Sequence, residues 1–153
     1  MPEYKIYCDM DGVLTNFHKA YEKLTGNKIH GFTSDLDWEA IKRAGYDFWF
    51  KLEWQPDGKE LWKYIKKYKP TILSAPSRED ESRVGKHDWV KKELPGTHLI
   101  LRSMANKKEF ASPDSILIDD TPQNVDQWNE AGGIGILHTS TANTLKVLKK
   151  LGL

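Results

Sequence analysis

The chain of 153 residues is 39% hydrophobic and 11% aromatic, enough for one well-buried core and too little for two ordinary domains. Its 23 lysines and arginines nearly balance 22 aspartates and glutamates, so a formal charge of +1 supplies no large cationic field and bulk nucleic-acid binding is disfavoured. The single cysteine, Cys8, cannot form an internal disulfide and fits reducing, cytoplasmic surroundings. The opening MPEYK lacks the apolar run of a signal peptide, and no stretch of about 18 apolar residues occurs, so a soluble protein with no membrane partner is expected.

In chain order, the first apolar run, Tyr4 to Cys8, reads as a strand and leads directly into Asp9, Met10, Asp11 and Gly12. About 60 residues then separate this strand from the next, where a simple crossover needs far fewer. Residues 16–54 within that interval hold two or three helix-like pieces carrying Phe17, Phe32, Trp38, Tyr46, Phe48, Trp49, Phe50 and Trp54, and are expected to form a small helical cap inserted after the first strand. QPDG at 55–58 reads as a turn and helix start that returns the chain to the main domain. There follow a helix over Gly58 to Tyr68, a strand over Thr71 to Ser74, a helix over Glu79 to Leu94, and strands over His98 to Leu101 and Ser115 to Ile118. A helix over Pro122 to Ala131, a strand over Gly133 to Leu137 and a helix over Thr141 to Leu151 complete the series, the last with Leu145, Leu148 and Leu151 as its apolar stripe. This alternation predicts an α/β fold: a Rossmann-like, doubly wound parallel sheet of five strands with helices on both faces, formed by residues 1–15 and 55–153.

Ligands of open parallel sheets bind beyond the carboxyl ends of the strands. Here those ends are acidic: Asp9 and Asp11 after the first strand, Asp119 and Asp120 after SILI at 115–118, with Ser74 closing the second. Either acidic pair alone is explained by turn or helix-cap chemistry. Together they would repel unless a cation neutralised them, and hard oxygen ligands at a half-open site suit magnesium. The inserted segment cannot bury eight rings within itself, so some should face the site, where aromatic faces suit a nucleobase; Phe17, Phe48 and Trp49 are the candidates. Ser77 and Arg78, just beyond Ser74, are candidates for base or phosphate contacts, and the five histidines show no ligand spacing.

DMDGVLT at 9–15 resembles the first motif of the haloacid dehalogenase superfamily. ILSAPS at 72–77 resembles the second motif and ILIDD at 116–120 the fourth, while Lys107 or Lys108 supplies the third-motif lysine, Lys107 being favoured. DMDGVL with Phe17, FWFKLEWQPDG, KHDWVKKEL and LIDDTPQN are similar to the 5'(3')-deoxyribonucleotidases of that superfamily, although Thr121 stands where animal members carry arginine.

This resemblance implies a phosphatase in which Asp9 attacks phosphorus to form an aspartyl phosphate and Asp11 protonates the leaving oxygen. It further implies magnesium held by Asp9, the Asp11 carbonyl, Asp119 and Asp120, with Gly12, Ser74 and the lysine on the phosphate. The expected partner is a small-molecule nucleotide, and a homodimer is left open. The alternatives are a phosphatase for another small phosphate or a polynucleotide end, and a silent magnesium-binding module.

Overall fold

The structure is a computed structural model and describes residues 3–30 and 35–153. Five strands, β1 (Lys5–Cys8), β2 (Thr71–Ser74), β3 (Leu99–Leu101), β4 (Ser115–Asp119) and β5 (Ile134–Leu137), form one all-parallel sheet in the order β3-β2-β1-β4-β5. The order reverses at β1, so the crevice beside its carboxyl end is the switch point where such sheets bind ligands. The register sets Cys8 opposite both Ile72 and Ile118, so Asp119 at the end of β4 lies beside Asp9, and β2 runs on past Cys8 to Ser74.

Period-2 alternation divides each strand between two layers. Ile6, Cys8, Ile72, Ile116, Ile118 and Ile136 face one side, where they meet α4 (Gly58–Ile65) through Leu61 and Ile65, α5 (Asp80–Glu93) through Trp89 and Val90, and α7 (Thr141–Lys150) through Leu148. Tyr7, Leu73 and Leu117 face the other, under Trp128 of α6 (Pro122–Glu130) and Phe110 of a 3-10 helix, Met104–Phe110. The sheet is therefore doubly wound. Each fully buried aliphatic chain contributes about 1.5–3 kcal/mol of transfer free energy, which is why the strands are almost unbroken apolar runs.

Between β1 and α4 the described residues form α1 (Phe17–Thr25), α2 (Trp38–Ala44) and α3 (Tyr46–Phe50). The Asn16 side chain accepts from Lys19 N and the Asp37 side chain from Ala40 N, so α1 and α2 both start on side-chain caps. The chain leaves and returns side by side: Asn16 N donates to Glu53 O and Gln55 N to Leu14 O. The inserted helices do not bury their apolar side chains among themselves alone. Phe17, Tyr21, Ile41, Trp49 and Leu52 join the main core cluster, with α3 packed against α5. Phe32 lies outside the described residues. Among the described residues no helix is long and apolar enough to cross a membrane.

Candidate active site

The first turn after β1 is set by burial. Met10, Val13 and Leu14 are fully buried, and the Met10 carbonyl accepts from the N–H groups of Val13, Leu14 and Thr15, closing a tight loop. Asp9 N still donates to Ile118 O, so the ladder with β4 holds Asp9 beside Asp119. Gly12 is required twice over: its φ is +87°, and a Cβ there would collide with the Asp120 carboxylate. The reason for this glycine is thus Asp120 rather than clearance for a ligand alone.

Three carboxylates, from Asp9, Asp119 and Asp120, present oxygens that all lie within 4.8 Å of one another. Lys107, buried on the 3-10 helix, donates from Nζ to Asp9 Oδ1 at 2.9 Å and to Asp119 Oδ2 at 3.0 Å. Asp119 is also held by Thr121 N at 2.9 Å and Asn124 Nδ2 at 3.1 Å. Burial and the neighbouring Asp119 push the Asp9 carboxyl well above the usual carboxylate range, with Lys107 opposing. The same two causes push Asp120 up to about 6. Burial opposes the charge on Lys107, but Asp9 and Asp119 prevail and hold its pKa above the usual range.

Asp11 belongs to a second group. Its Oδ1 accepts from Thr15 Oγ1 at 2.8 Å and its Oδ2 from Lys86 Nζ at 2.7 Å, and Lys86 also donates to Ser74 Oγ at 2.9 Å. Lys86 is fully buried, and sequence reasoning missed it. KHDWVKKEL looks like a solvated helix face at its lysines. Yet Ser82, Gly85, Lys86, Trp89 and Val90 share the buried stripe of α5 at three- and four-residue spacing, and a lysine on that stripe is the signal that could have found it.

The four carboxylates thus face two buried ammonium groups, leaving a formal surplus of two negative charges, which one divalent cation would balance. Asn124 supports the same reading: its Oδ1 is buried and meets no donor among the described residues, beside a carboxylate that its own Nδ2 already contacts. An all-oxygen donor set suits magnesium, and the residues fit that ion.

A cavity of about 750 Å³ opens over this centre. Asp9, Asp11, Gly12, Ser74, Lys107 and Asp120 line its floor; Phe17, Trp49, Ser77 and Arg78 line its walls. Two candidates do not belong. Lys108 is exposed, because the tight 3-10 helix turns only Lys107 inward. Phe48 is not part of the lining; it stacks edge-on behind Phe17 and Trp49, with centroids at 5.6 and 5.0 Å. Trp38 and Met104, both partly exposed, line the mouth instead.

Solved structures share this architecture. A HAD family hydrolase from Deinococcus radiodurans, crystallised with bound phosphate and sodium, aligns with a TM-score of 0.61 at 14% identity, covering 99% of this chain and 97% of its own. The chain has the haloacid dehalogenase-like fold. A hydrolase from Streptococcus pneumoniae has the same HAD-like architecture (TM-score 0.59, 14% identity, covering 97% of this chain and 100% of that one), as does a HAD-superfamily hydrolase from Ehrlichia chaffeensis (0.56, 11%, covering all of both chains). No protein-family model matches the sequence, and no curated protein matches it either.

Proposed function

We propose that this chain is a magnesium-dependent phosphatase that releases phosphate from nucleoside monophosphates of the 5'(3')-deoxyribonucleotidase type. The observation that carries the reading is the clustering of Asp9, Asp119 and Asp120 within 4.8 Å, beside Lys107, on the floor of a cavity at the sheet's switch point. Such a centre attracts a doubly charged cation and, through it, an anionic substrate. The phosphate bound in the Deinococcus radiodurans structure of the same fold is consistent with that chemistry.

Asp9 is the nucleophile: its Oδ atoms lie at the cavity floor and Lys107 fixes one of them, leaving the other to attack phosphorus. The bond from phosphorus to the leaving oxygen breaks as the aspartyl phosphate forms, and water then cleaves that acyl phosphate, releasing inorganic phosphate and the Asp9 carboxylate. Asp11, on the same turn and partly open to the cavity, delivers a proton to the leaving alcohol and later takes one from the attacking water. The Ser74 hydroxyl and Lys107 ammonium stabilise the charge on the phosphoryl oxygens. Magnesium held by Asp9, Asp119, Asp120 and the Asp11 carbonyl would lower the repulsion between a phosphate dianion and the Asp9 carboxylate. The buried Cys8 thiol, pushed up by burial and then by Asp9, takes no part and is compatible with a cytoplasmic address.

The walls favour a small nucleotide. Phe17, Ile41, Trp38 and Trp49 supply apolar surface of the kind a base occupies. Among the described residues the rim mixes Arg78 and Lys42 with Glu39, Glu79 and Glu81 and offers no continuous positive track for a polynucleotide. Phosphate release should be measured from 5'- and 3'-deoxyribonucleotides, ribonucleotides, sugar phosphates and a 3'-phosphorylated oligonucleotide, with magnesium and with chelator. Monomeric deoxynucleotides with magnesium should be cleaved fastest; equal rates with chelator, or a preference for sugar phosphates, would overturn the corresponding half of the reading.

Trp38→Ala should raise KM for nucleotides roughly 10-fold, within the range of a base stacked on an aromatic ring, while leaving a nitrophenyl phosphate little changed. An equal change on both substrates would remove Trp38 from base recognition.

A further inference from the structure

Trp49 lines the cavity, which makes it a candidate for base stacking, but its ring also faces the Lys86 ammonium. The Lys86 ammonium stands 5.1 Å from the Trp49 ring centroid, within cation–π distance. Both side chains are almost wholly removed from water, Lys86 at 0% and Trp49 at 3% exposure, where that attraction is least screened. Two of the three ammonium hydrogens are already committed to Asp11 and Ser74, and neither partner constrains the ammonium from the side of α3. The ring fills that side.

The backbone is built to bring the two together. Gly85, the residue before Lys86, faces α3 so closely that a Cβ there would lie 2.5 Å from Trp49 Cβ and 3.3 Å from Phe50 N. Tyr46 Oη donates to Asp88 Oδ2 at 2.7 Å, tying the start of α3 to the next turn of α5. Phe17 and Phe48 wedge the indole from the cavity side and from behind. A ring meant only to receive a base would not need to be clamped from the far side against a helix.

We propose that Trp49 is a positioning residue: its indole face fixes the Lys86 ammonium, and Lys86 in turn fixes the Asp11 carboxylate and the Ser74 hydroxyl. The kinetic part of this inference rests on the phosphatase reading; the contact between Trp49 and Lys86 does not. The inserted segment is thereby part of the proton-transfer apparatus, which is a role for α3 that is independent of which substrate enters.

The test compares Trp49→Phe, Trp49→Leu and Gly85→Ala in the full chain, with Lys86→Met as the complete loss and Trp62→Leu, a partly buried ring of α4 packed on the core, as a control for lost aromatic packing. Gly85→Ala improves helix propensity but drives a methyl into the seam, so it displaces the ring without removing it. It decides the question if Trp49→Leu does not fold. Two readouts are taken: kcat and KM on both a nucleotide and a nitrophenyl phosphate, and the rate of Lys86 acetylation followed by peptide mass spectrometry.

Trp49→Leu and Gly85→Ala should lower kcat roughly 10- to 100-fold on both substrates, the scale of a small misplacement of a reacting group. They should also make Lys86, but not the equally buried Lys107, react faster. Trp49→Phe should restore both properties, and Trp62→Leu should leave both close to wild type. Unchanged Lys86 reactivity in the displaced variants overturns the proposal whether or not phosphate is released. A higher nucleotide KM with kcat on the nitrophenyl ester retained overturns it too, and makes Trp49 a base contact. Wild type that releases phosphate from no substrate defeats the phosphatase reading, while the acetylation rates still decide the contact.

Discussion

Asp9→Asn should release no phosphate above the uncatalysed background while keeping a cooperative melting transition. The amide is isosteric with the carboxylate, so its oxygen can still accept from Lys107 Nζ, which now contacts Asp9 Oδ1 at 2.9 Å. Its nitrogen would face Asp119 and Asp120, replacing a like-charge contact with a donor. Burial and Asp119 already disfavour the charge on Asp9, so removing that charge costs the metal-free fold little and can stabilise it. An amide cannot, however, form and release an acyl phosphate through water as a carboxylate does. The measurements are phosphate release over long incubations and thermal melts with and without magnesium. Wild type should melt higher with magnesium, because a ligand that binds only the folded state stabilises it, and the variant should gain less. Retained turnover ends the nucleophile assignment. Loss of the melting transition would make Asp9 a structural residue instead.

Asp11→Asn separates the two opening aspartates. The hydrogen-bonding of Asp11 survives the change with little rearrangement: the amide oxygen can accept from Lys86, and the amide nitrogen can donate to Thr15 Oγ1, which both donates and accepts. The Asp11 side chain is not one of the carboxylates gathered within 4.8 Å, so magnesium affinity should be retained. What is lost is the proton for the leaving group, a cost of about 10²–10⁴-fold. The loss should be largest for a nucleotide, whose alkoxide leaves poorly, and smaller for a nitrophenyl ester, whose anion is stable without protonation. Single-turnover bursts isolate formation of the aspartyl phosphate from its hydrolysis. Equal slowing of that first step for both esters, or loss of magnesium binding, would make Asp11 a side-chain metal ligand rather than an acid and base.

The sheet and its winding were legible because they depend on local pattern. Runs such as TILS and SILID are apolar on successive residues, and only a strand covered on both faces makes that favourable. The acidic residues were legible for a related reason: they stand where the apolar runs stop, and the ends of parallel strands share one edge of the sheet. Boundaries moved by a residue or so, and the helix expected over 58–68 ends as a 3-10 turn at Lys66–Tyr68, where Lys69 takes a positive φ of 51° and stops it.

Only the tertiary structure decided which basic groups meet those acids. Lys107 is favoured only by resemblance and Lys86 is marked only by its place on the buried stripe of α5; by side chain alone both look like their neighbours in KHDWVKKEL and SMANKKEF. Each is inside because a carboxylate more than seventy residues earlier in the chain, Asp11 for Lys86 and Asp9 for Lys107, compensates the cost of removing its charge from water. The same holds for Gly12, whose demand comes from Asp120, and for Trp49, whose partner is reached only because Gly85 lets two helices touch. Hydrophobic periodicity is written along the chain, residue by residue. Charge compensation and close approach are properties of pairs that folding alone brings within 3 Å, so the sequence determined the scaffold and its acidic edge, and the fold chose the lysines and the ring that complete the site.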